Sequence, residues 1–548
     1  EVRPDPRDAD ELHDALLTAG FLTGGELEGS GPDLRATLTA ARRAGSVALS
    51  GSSASSRQVV AAVERLPELR AIHPELVAPP SLQPPPSRLV RSWTRSEAIV
   101  DVLRSRLTLT GPTTAAALAE PLGLTASDAD DALLQLEGEG VVLRGRFTPR
   151  EASLEWCDRA LLARIHRYTL HRLRAEIAPV SPAEFMRFLF RWQHVEPSTR
   201  LSGLDGLREI VALLDGYELA ASAWERAVLP ARLDRYDPAL LDMVCLSGEA
   251  GWTRLSPAPA ANGRPPGLVP ATPIALLLPE HAAAWRSLRP PGDEPALSGD
   301  ASAVLTLLRG RGASFFRDLI AASGLDAEQL SYALGALAAS GLAASDGFAG
   351  LRALVRVAHG RPVPHDRRRS LAGRWTALNG VPADGPTREE AVELQARTLL
   401  RRYGVVFRRL LTREANAATW RELSQVYRRL EARGEIRGGR FVTGMSGEQF
   451  ALPQAVDELR EVRRLPADGG LSTISAADPL NLAGIVTAGE RVRAASRRRI
   501  VYRDGTPLAV ADGDGLHELT PLDASLATDV ARVLKARPAT TLALALRS

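Results

Sequence analysis

Apolar residues recur at helical spacing in short blocks along the chain, each block ending in a glycine and a brief alternating stretch. The clearest begins at Ser96, where Ile99, Val100 and Leu103 share one face. Thr114–Leu122 follows, and Leu124-Thr-Ala-Ser-Asp128 supplies a turn and cap for a third helix that Gly140 ends. Val141-Val-Leu-Arg-Gly-Arg-Phe147 then alternates as a strand does, and both strands of a wing are expected within it, with Arg144 and Arg146 at the tip. This order is that of a winged helix-turn-helix. It recurs at Ala303–Leu308, Phe315–Ser323, Asp326–Ser340 and Gly341–Phe348, and again at Glu393–Arg402, Phe407–Glu414, Trp420–Arg433 and Gly434–Val442. A weaker copy opens the chain with Asp10–Ala19, Asp33–Ala44 and the strand Ser46–Ser50, and a further one is expected on Leu161–Ala175, Ala183–Phe190 and Leu204–Leu214.

After Pro466 the pattern turns to strands. Ile500-Val-Tyr-Arg503 and Leu508-Ala-Val510 flank Asp504-Gly505, a two-residue hairpin signal, before a helix near Leu526–Ala536 and a last strand Thr541–Leu546. The fold class expected is mainly α with small β: tandem winged-helix modules followed by a C-terminal β-barrel. Proline-rich breaks at 77–87, 257–270 and 289–295 separate the modules. The division is 1–76, 90–150, 151–256, a connector with a short strand and helix at 257–298, then 299–358, 386–465 and the barrel at 466–548.

Composition narrows the chemistry. No apolar run approaches the ~18 residues of a membrane span. Two cysteines and nine histidines, without paired CxxC motifs, predict neither a disulfide framework nor a metal site, and a cytoplasmic protein fits them. The start, Glu1-Val-Arg-Pro-Asp-Pro-Arg7, lacks an initiator Met and a signal sequence and suggests a piece of a larger parent chain. Of the 68 basic residues only Lys535 is a lysine, and it lies in Leu-Lys-Ala-Arg, so the sequence contains no Walker A loop and no ATP site is expected in it.

Three groups of residues carry candidate chemistry. Arg401, Arg402, Arg408, Arg409, Arg413, Arg421, Arg428, Arg429, Arg433, Arg437 and Arg440 crowd about forty residues, and Arg421, Arg428, Arg429, Arg437 and Arg440 fall on the expected recognition helix and wing. Such guanidinium groups neutralise phosphates. The alternative is a solvated face paired with Glu414, Glu422 and Glu431. Because the net charge is only +3, a local patch is implied. In Phe185-Met-Arg-Phe-Leu-Phe-Arg-Trp-Gln-His-Val195 the aromatic residues have core spacing, while Gln193 and His194 at the helix end are candidates to probe a nucleotide or lesion. Cys157 and His166 read as buried and structural. Asp478, before Pro479, is the candidate carboxylate for base-excision chemistry, against the commoner use of Asp-Pro as a turn.

The assembled motifs resemble the C-terminal region of bacterial large helicase-related (Lhr) proteins. They include Asp8-Ala-Asp-Glu-Leu-His-Asp14, Leu162-Ala-Arg-Ile-His-Arg-Tyr168, Trp192-Gln-His-Val195, Leu246-Ser-Gly-Glu249, Gly312-Ala-Ser-Phe-Phe316, Asp346-Gly-Phe-Ala-Gly-Leu351, Arg402-Tyr-Gly-Val-Val-Phe407, Ser446-Gly-Glu-Gln-Phe-Ala-Leu452 and Asp478-Pro-Leu-Asn-Leu482. The resemblance implies a parent ATP-dependent 3′-to-5′ DNA helicase acting in DNA repair, with ATP and Mg confined to its motor domains. It also implies association with the nucleoid, binding of single-stranded or tailed DNA, and self-association as a tetramer. An architecture similar to AlkZ-type DNA glycosylases is implied as well, and some relatives of this region are associated with uracil-DNA glycosylase activity. AlkZ-type enzymes use a Gln-x-Gln or Gln-x-Asp motif, from which Trp192-Gln-His194 departs. Two functions are therefore expected: a DNA-binding and oligomerising region, or alternatively a uracil or damaged-base glycosylase with Asp478 as its carboxylate.

Overall fold

A computed structural model describes residues 5–28, 32–49, 57–149, 153–175, 178–258, 267–289, 295–357, 373–378, 385–513 and 515–534. The chain divides into two compact units, residues 1–173 and 174–548.

In the first unit Asp8 caps the helix Ala9–Ala19, whose Leu12, Leu16 and Ala19 are buried. A single 3-10 turn at Gly25–Leu27 and the helix Pro32–Ala40 lead to a hairpin of Ala44–Leu49 with Arg57–Ala62, onto whose second strand Leu22–Thr23 also pairs. The next set opens on Arg95–Leu107, started by a Thr94/Glu97 capping box, and continues through Ala115–Ala119 to Ala126–Gly138. Its wing differs from expectation. Val142–Gly145 is a strand, but its partner is Glu155–Asp158, so Arg144 lies mid-strand opposite Trp156. The chain does not turn back at 147 because the Glu155 carboxylate accepts hydrogen bonds from the amides of Phe147 and Thr148, at 2.7 Å each, and opens a loop there. Cys157 is buried, and burial pushes its thiol up to about 11. His166 is exposed instead, on the solvent face of the helix Arg159–Ala175.

The second unit contains three copies of one pattern, each a helix, a short strand, two further helical segments and two strands that complete a three-stranded sheet. In the first copy the helices are Gly203–Leu213, the stretch 221–232 and Pro238–Leu246, so Leu161–Ala175 and Ala183–Phe190 do not belong to it. Its sheet has Pro273–Leu277, a stretch assigned to the connector by sequence, as the central strand between Glu218–Ala220 and Gly251–Thr253. Ile274, Ala275, Leu276 and Leu277 are all buried, as a strand covered on both faces requires. The second copy runs Gly299–Arg311, Phe316–Ser323 and Ala327–Ala339, with strands Ser314–Phe315, Ala343–Ser345 and Arg374–Ala377. The helix Phe348–Val357 interrupts its wing. The third copy consists of the helix Arg388–Tyr403, the strand Val405–Phe407, a 3-10 helix Arg408–Arg413, the recognition helix Trp420–Ala432 and the wing strands Arg437–Gly439 and Gln449–Ala451.

The helix Pro182–Trp192 is far from the third copy in sequence and packed with it in space. A Ser181/Glu184 capping box and Pro182 start it. Phe185, Phe188 and Leu189 then enter one core with Tyr403, Phe407, Phe450 and Val456, and Val180 bridges Val442. The core packing expected of these aromatics is what the structure shows.

The C-terminal sheet is an antiparallel meander of Leu471–Ser475, Arg499–Arg503, Thr506–Asp512 and Gly515–Glu518. The expected barrel is not formed among the described residues: the first and last strands do not pair. Closure is unnecessary because both faces are already covered. Ile500, Tyr502 and Val510 enter the large core, whereas the alternate residues Val501, Ala509 and Ala511 pack with Val530 and Leu534 of the helix Ala524–Leu534. The strand expected at Thr541–Leu546, like Lys535, lies outside the described residues.

Candidate nucleic-acid interface and a buried carboxylate

Leu423, Val426, Tyr427 and Leu430 turn one face of the recognition helix into the core, which leaves Arg421, Gln425, Arg428 and Arg429 exposed. A Thr419/Glu422 capping box fixes its first turn. The Arg388 guanidinium and Thr419 hold the Glu422 carboxyl down at about 2, so that cap stays charged. In the preceding 3-10 helix Leu410 points inward, while Arg408, Arg409 and Thr412 are exposed. Between the two helical segments lies a groove of about 780 Å³, lined by Arg408, Leu411, Thr412, Trp420, Arg421 and Gln425 among others.

Apart from Arg401, the arginines of this region divide into three groups. Arg402 and Arg413 turn inward. Arg402 is fully buried on Glu414 at 2.6 Å, and Arg413 donates to the Asp478 backbone oxygen at 3.0 Å. Arg428 pairs with Glu448 at 2.6 Å, Arg429 with Glu389, and Arg433 with Glu435 at 3.7 Å. Among the described residues Arg408, Arg409, Arg421, Arg437 and Arg440 have no ion pair. Glu414 is used by Arg402 and Glu422 by Arg388, while Glu431 accepts the Gly438 amide. Arg437 is on the first wing strand and Arg440 on the wing loop, which Gln449 organises by accepting the amides of Phe441 and Val442. In the first unit Arg144 is 3.4 Å from Glu137 and lies over the Trp156 ring, while Arg146 is exposed.

Asp478 lies 1% exposed in the second unit. Arg232, itself fully buried, donates from Nη1 to Asp478 Oδ2 at 2.7 Å and from Nη2 to Asp478 Oδ1 at 2.9 Å, a two-pronged pair. Nη2 also donates to Gln193 Oε1 at 2.7 Å, and Gln193 Nε2 donates to the Arg402 carbonyl at 2.8 Å. Arg232 closes a helical stretch that widens into a π turn at Trp224–Val228, just before Pro230, which has no amide to donate to the preceding turn. His194 is elsewhere, held by the Thr199 carbonyl at 2.9 Å with Glu209 3.6 Å away, at a positive φ of 59°. Two candidates, Gln193 and Asp478, thus meet on one arginine that sequence reasoning did not select. Its only signal is a charge inside the apolar run Val228-Leu-Pro-Ala-Arg-Leu233.

Among the described residues no three His, Cys, Asp or Glu side chains converge as a metal would require, and no helix is long and apolar enough to cross a membrane.

Residues 180–270 and 385–471 each match a family model described as large helicase-related protein, winged-helix domain. The chain belongs to the large helicase-related (Lhr) family. An Lhr protein of Mycolicibacterium smegmatis, named "Lhr helicase/ probable uracil glycosylase", is 30% identical over 388 residues, 67% of this chain and 25% of that protein. The Escherichia coli "Lhr helicase/uracil glycosylase" is 30% identical over 417 residues, 68% of this chain and 26% of that one. The Lhr segment described here therefore spans about a quarter of the length of these curated relatives. A solved structure of the Streptomyces sahachiroi DNA glycosylase AlkZ aligns with 66% of this chain and 99% of its own at 16% identity and a TM-score of 0.37.

Proposed function

We propose that this chain is the DNA-binding and homo-oligomerising part of an ATP-dependent 3′-5′ DNA helicase acting in DNA repair, a tetramer at the bacterial nucleoid whose winged helices act as successive modules on single-stranded or tailed DNA. ATP and Mg would be handled outside this segment. The observation that carries the DNA-binding reading is the row of exposed guanidinium groups without carboxylate partners, Arg421, Arg437 and Arg440, on the recognition helix and wing of residues 385–471. Unpaired arginines on that face retain their full charge for phosphates. The names of the two relatives support the helicase assignment. The test is a gel shift of tailed DNA with light scattering on the same sample. A shift that Arg437→Ala with Arg440→Ala weakens several-fold, from a multimeric species, is expected; a monomer that leaves the DNA unshifted overturns the reading.

A second reading, a uracil or damaged-base glycosylase, draws on the convergence of Gln193 and Asp478 on Arg232. In this arrangement the carboxylate is enclosed and both its oxygens are occupied, so excision requires the cluster to open toward a flipped base. Incubation with a uracil-containing single strand, followed by alkaline cleavage, checks it. Cleavage lost in Asp478→Asn supports the reading, and an uncleaved strand rejects it.

A further inference from the structure

The groove between the 3-10 helix Arg408–Arg413 and the start of the recognition helix combines features that the row of wing arginines lacks. It has walls: Leu411 and the half-buried Trp420 on the apolar side, Arg408 and Arg421 on the charged side. Its polar groups are available, since neither arginine has an ion pair and Gln425 has no hydrogen bond among the described residues. A second segment extends the charge beyond the winged helix. Arg491 donates to the Thr412 carbonyl at 3.2 Å, which anchors the loop after Gly489 at the rim, and Arg493, two residues on, is exposed. The volume, about 780 Å³, is within the range of ligand-binding clefts.

We propose that this groove holds one or two unstacked nucleotides of a single DNA strand, with phosphates on Arg408 and Arg421 and a base against Trp420 and Leu411. The proposal rests on the DNA-binding reading above and adds a place and a strand state to it. Arginine forks match phosphate oxygens, and an aromatic wall accepts any base by its π-face. A duplex offers phosphates but keeps its bases stacked inside, so a groove with an apolar wall favours the single strand.

The experiment measures binding of a dT12 strand, a duplex of the same length and free dTMP to the full chain over a range of salt. Three proteins are compared: the parent, Arg408→Ala with Arg421→Ala, and the wing pair Arg437→Ala with Arg440→Ala. All four arginines are exposed, so thermal melts should coincide and report folding. The groove pair should weaken dT12 at least tenfold, change duplex binding far less, and lower the salt slope by about 1.4, the value for two single-strand phosphates. A strand of abasic residues should bind the parent about tenfold more weakly than dT12. Unchanged dT12 binding by the groove pair, with loss in the wing pair, overturns the groove and leaves the DNA-binding reading standing. No binding by the parent removes that reading itself. Displacement of dT12 by dTMP at equal affinity makes the groove a free-nucleotide site and also overturns the proposal.

Discussion

The Arg232–Asp478 pair is a fully enclosed ion pair that also holds Gln193 and the Leu480 amide. Both charges are out of water, and their attraction offsets desolvation only while the geometry is kept. Replacing Arg232 with Met, close in length but neutral, would leave an uncompensated carboxylate, and a loss of about 3–5 kcal/mol in urea unfolding is expected. A smaller, pH-dependent contribution comes from His281. Its Nδ1 is 2.7 Å from Asp215 Oδ2, and that hydrogen bond raises the imidazole above its ordinary value. A group whose pKa is raised by folding stabilises most below its unfolded value near 6.5, and loses that contribution as pH rises through the folded value. The urea midpoint should therefore decline from pH 6 into the alkaline range, and His281→Asn should flatten that decline. If the variant and parent curves remain parallel, this pair is not the source. Neither pair was legible in the sequence, because Asp215 and Arg232 draw their partners from distant segments and no local spacing encodes that. Asp478 was singled out, but its enclosure was not.

At the scale of elements, capping residues and glycines made the helices readable, and chain reversals that depend on side chains did not. Thr125, in the stretch read as a turn and cap, starts its helix with a capping box, and the structure adds capping boxes at Thr94 and Thr419. The wing after Val142 was misjudged because Glu155, a residue outside the alternating stretch, decides where the chain opens. A short strand was expected between 257 and 298 and is Pro273–Leu277, but its place in the sheet of the preceding copy was not legible, since five buried residues without alternation do not say which strands flank them. Asp504-Gly505 was read correctly as a hairpin, with φ values of 49° and 82°. Its surroundings were not legible: a Cβ on Gly505 would come within 1.9 Å of the Ala183 carbonyl oxygen. Gly505→Ala is accordingly expected to cost about 2 kcal/mol or more, from strain at positive φ and from lifting the hairpin off the helix Pro182–Trp192. Asn at the same position, which tolerates positive φ but not the clash, should rescue little, and a full rescue in thermal melts would show that the contact is unimportant.

Across the whole molecule, repetition was legible and interleaving was not. The two winged helices expected at 299–358 and 386–465 were visible from their helical spacing and glycines, although their last wing strands, Arg374–Ala377 and Gln449–Ala451, lie beyond the stretches 341–348 and 434–442 read as wings. The placement of Pro182–Trp192 against residues 403–456 leaves no local trace, and the sequence grouped that helix with its neighbours instead. A consequence can be measured by truncation. Residues 385–548 alone would expose the surface that Phe185 and Phe188 fill, so that fragment should aggregate, while adding residues 178–196 as a separate peptide should restore a cooperative melt. A soluble fragment with a sharp melt and no peptide would refute this.

Arg232 and Asp478 are separated by 246 residues, and a ribosome makes one long before the other. At about 5–20 residues per second, roughly 12–50 s pass between their synthesis. During that interval the nascent chain has an unpaired guanidinium in an apolar segment and a row of phenylalanines without a cover. Final assembly of the second unit must wait for its last segment, and the growing chain is exposed to chaperones and to misassembly with neighbouring nascent chains until then.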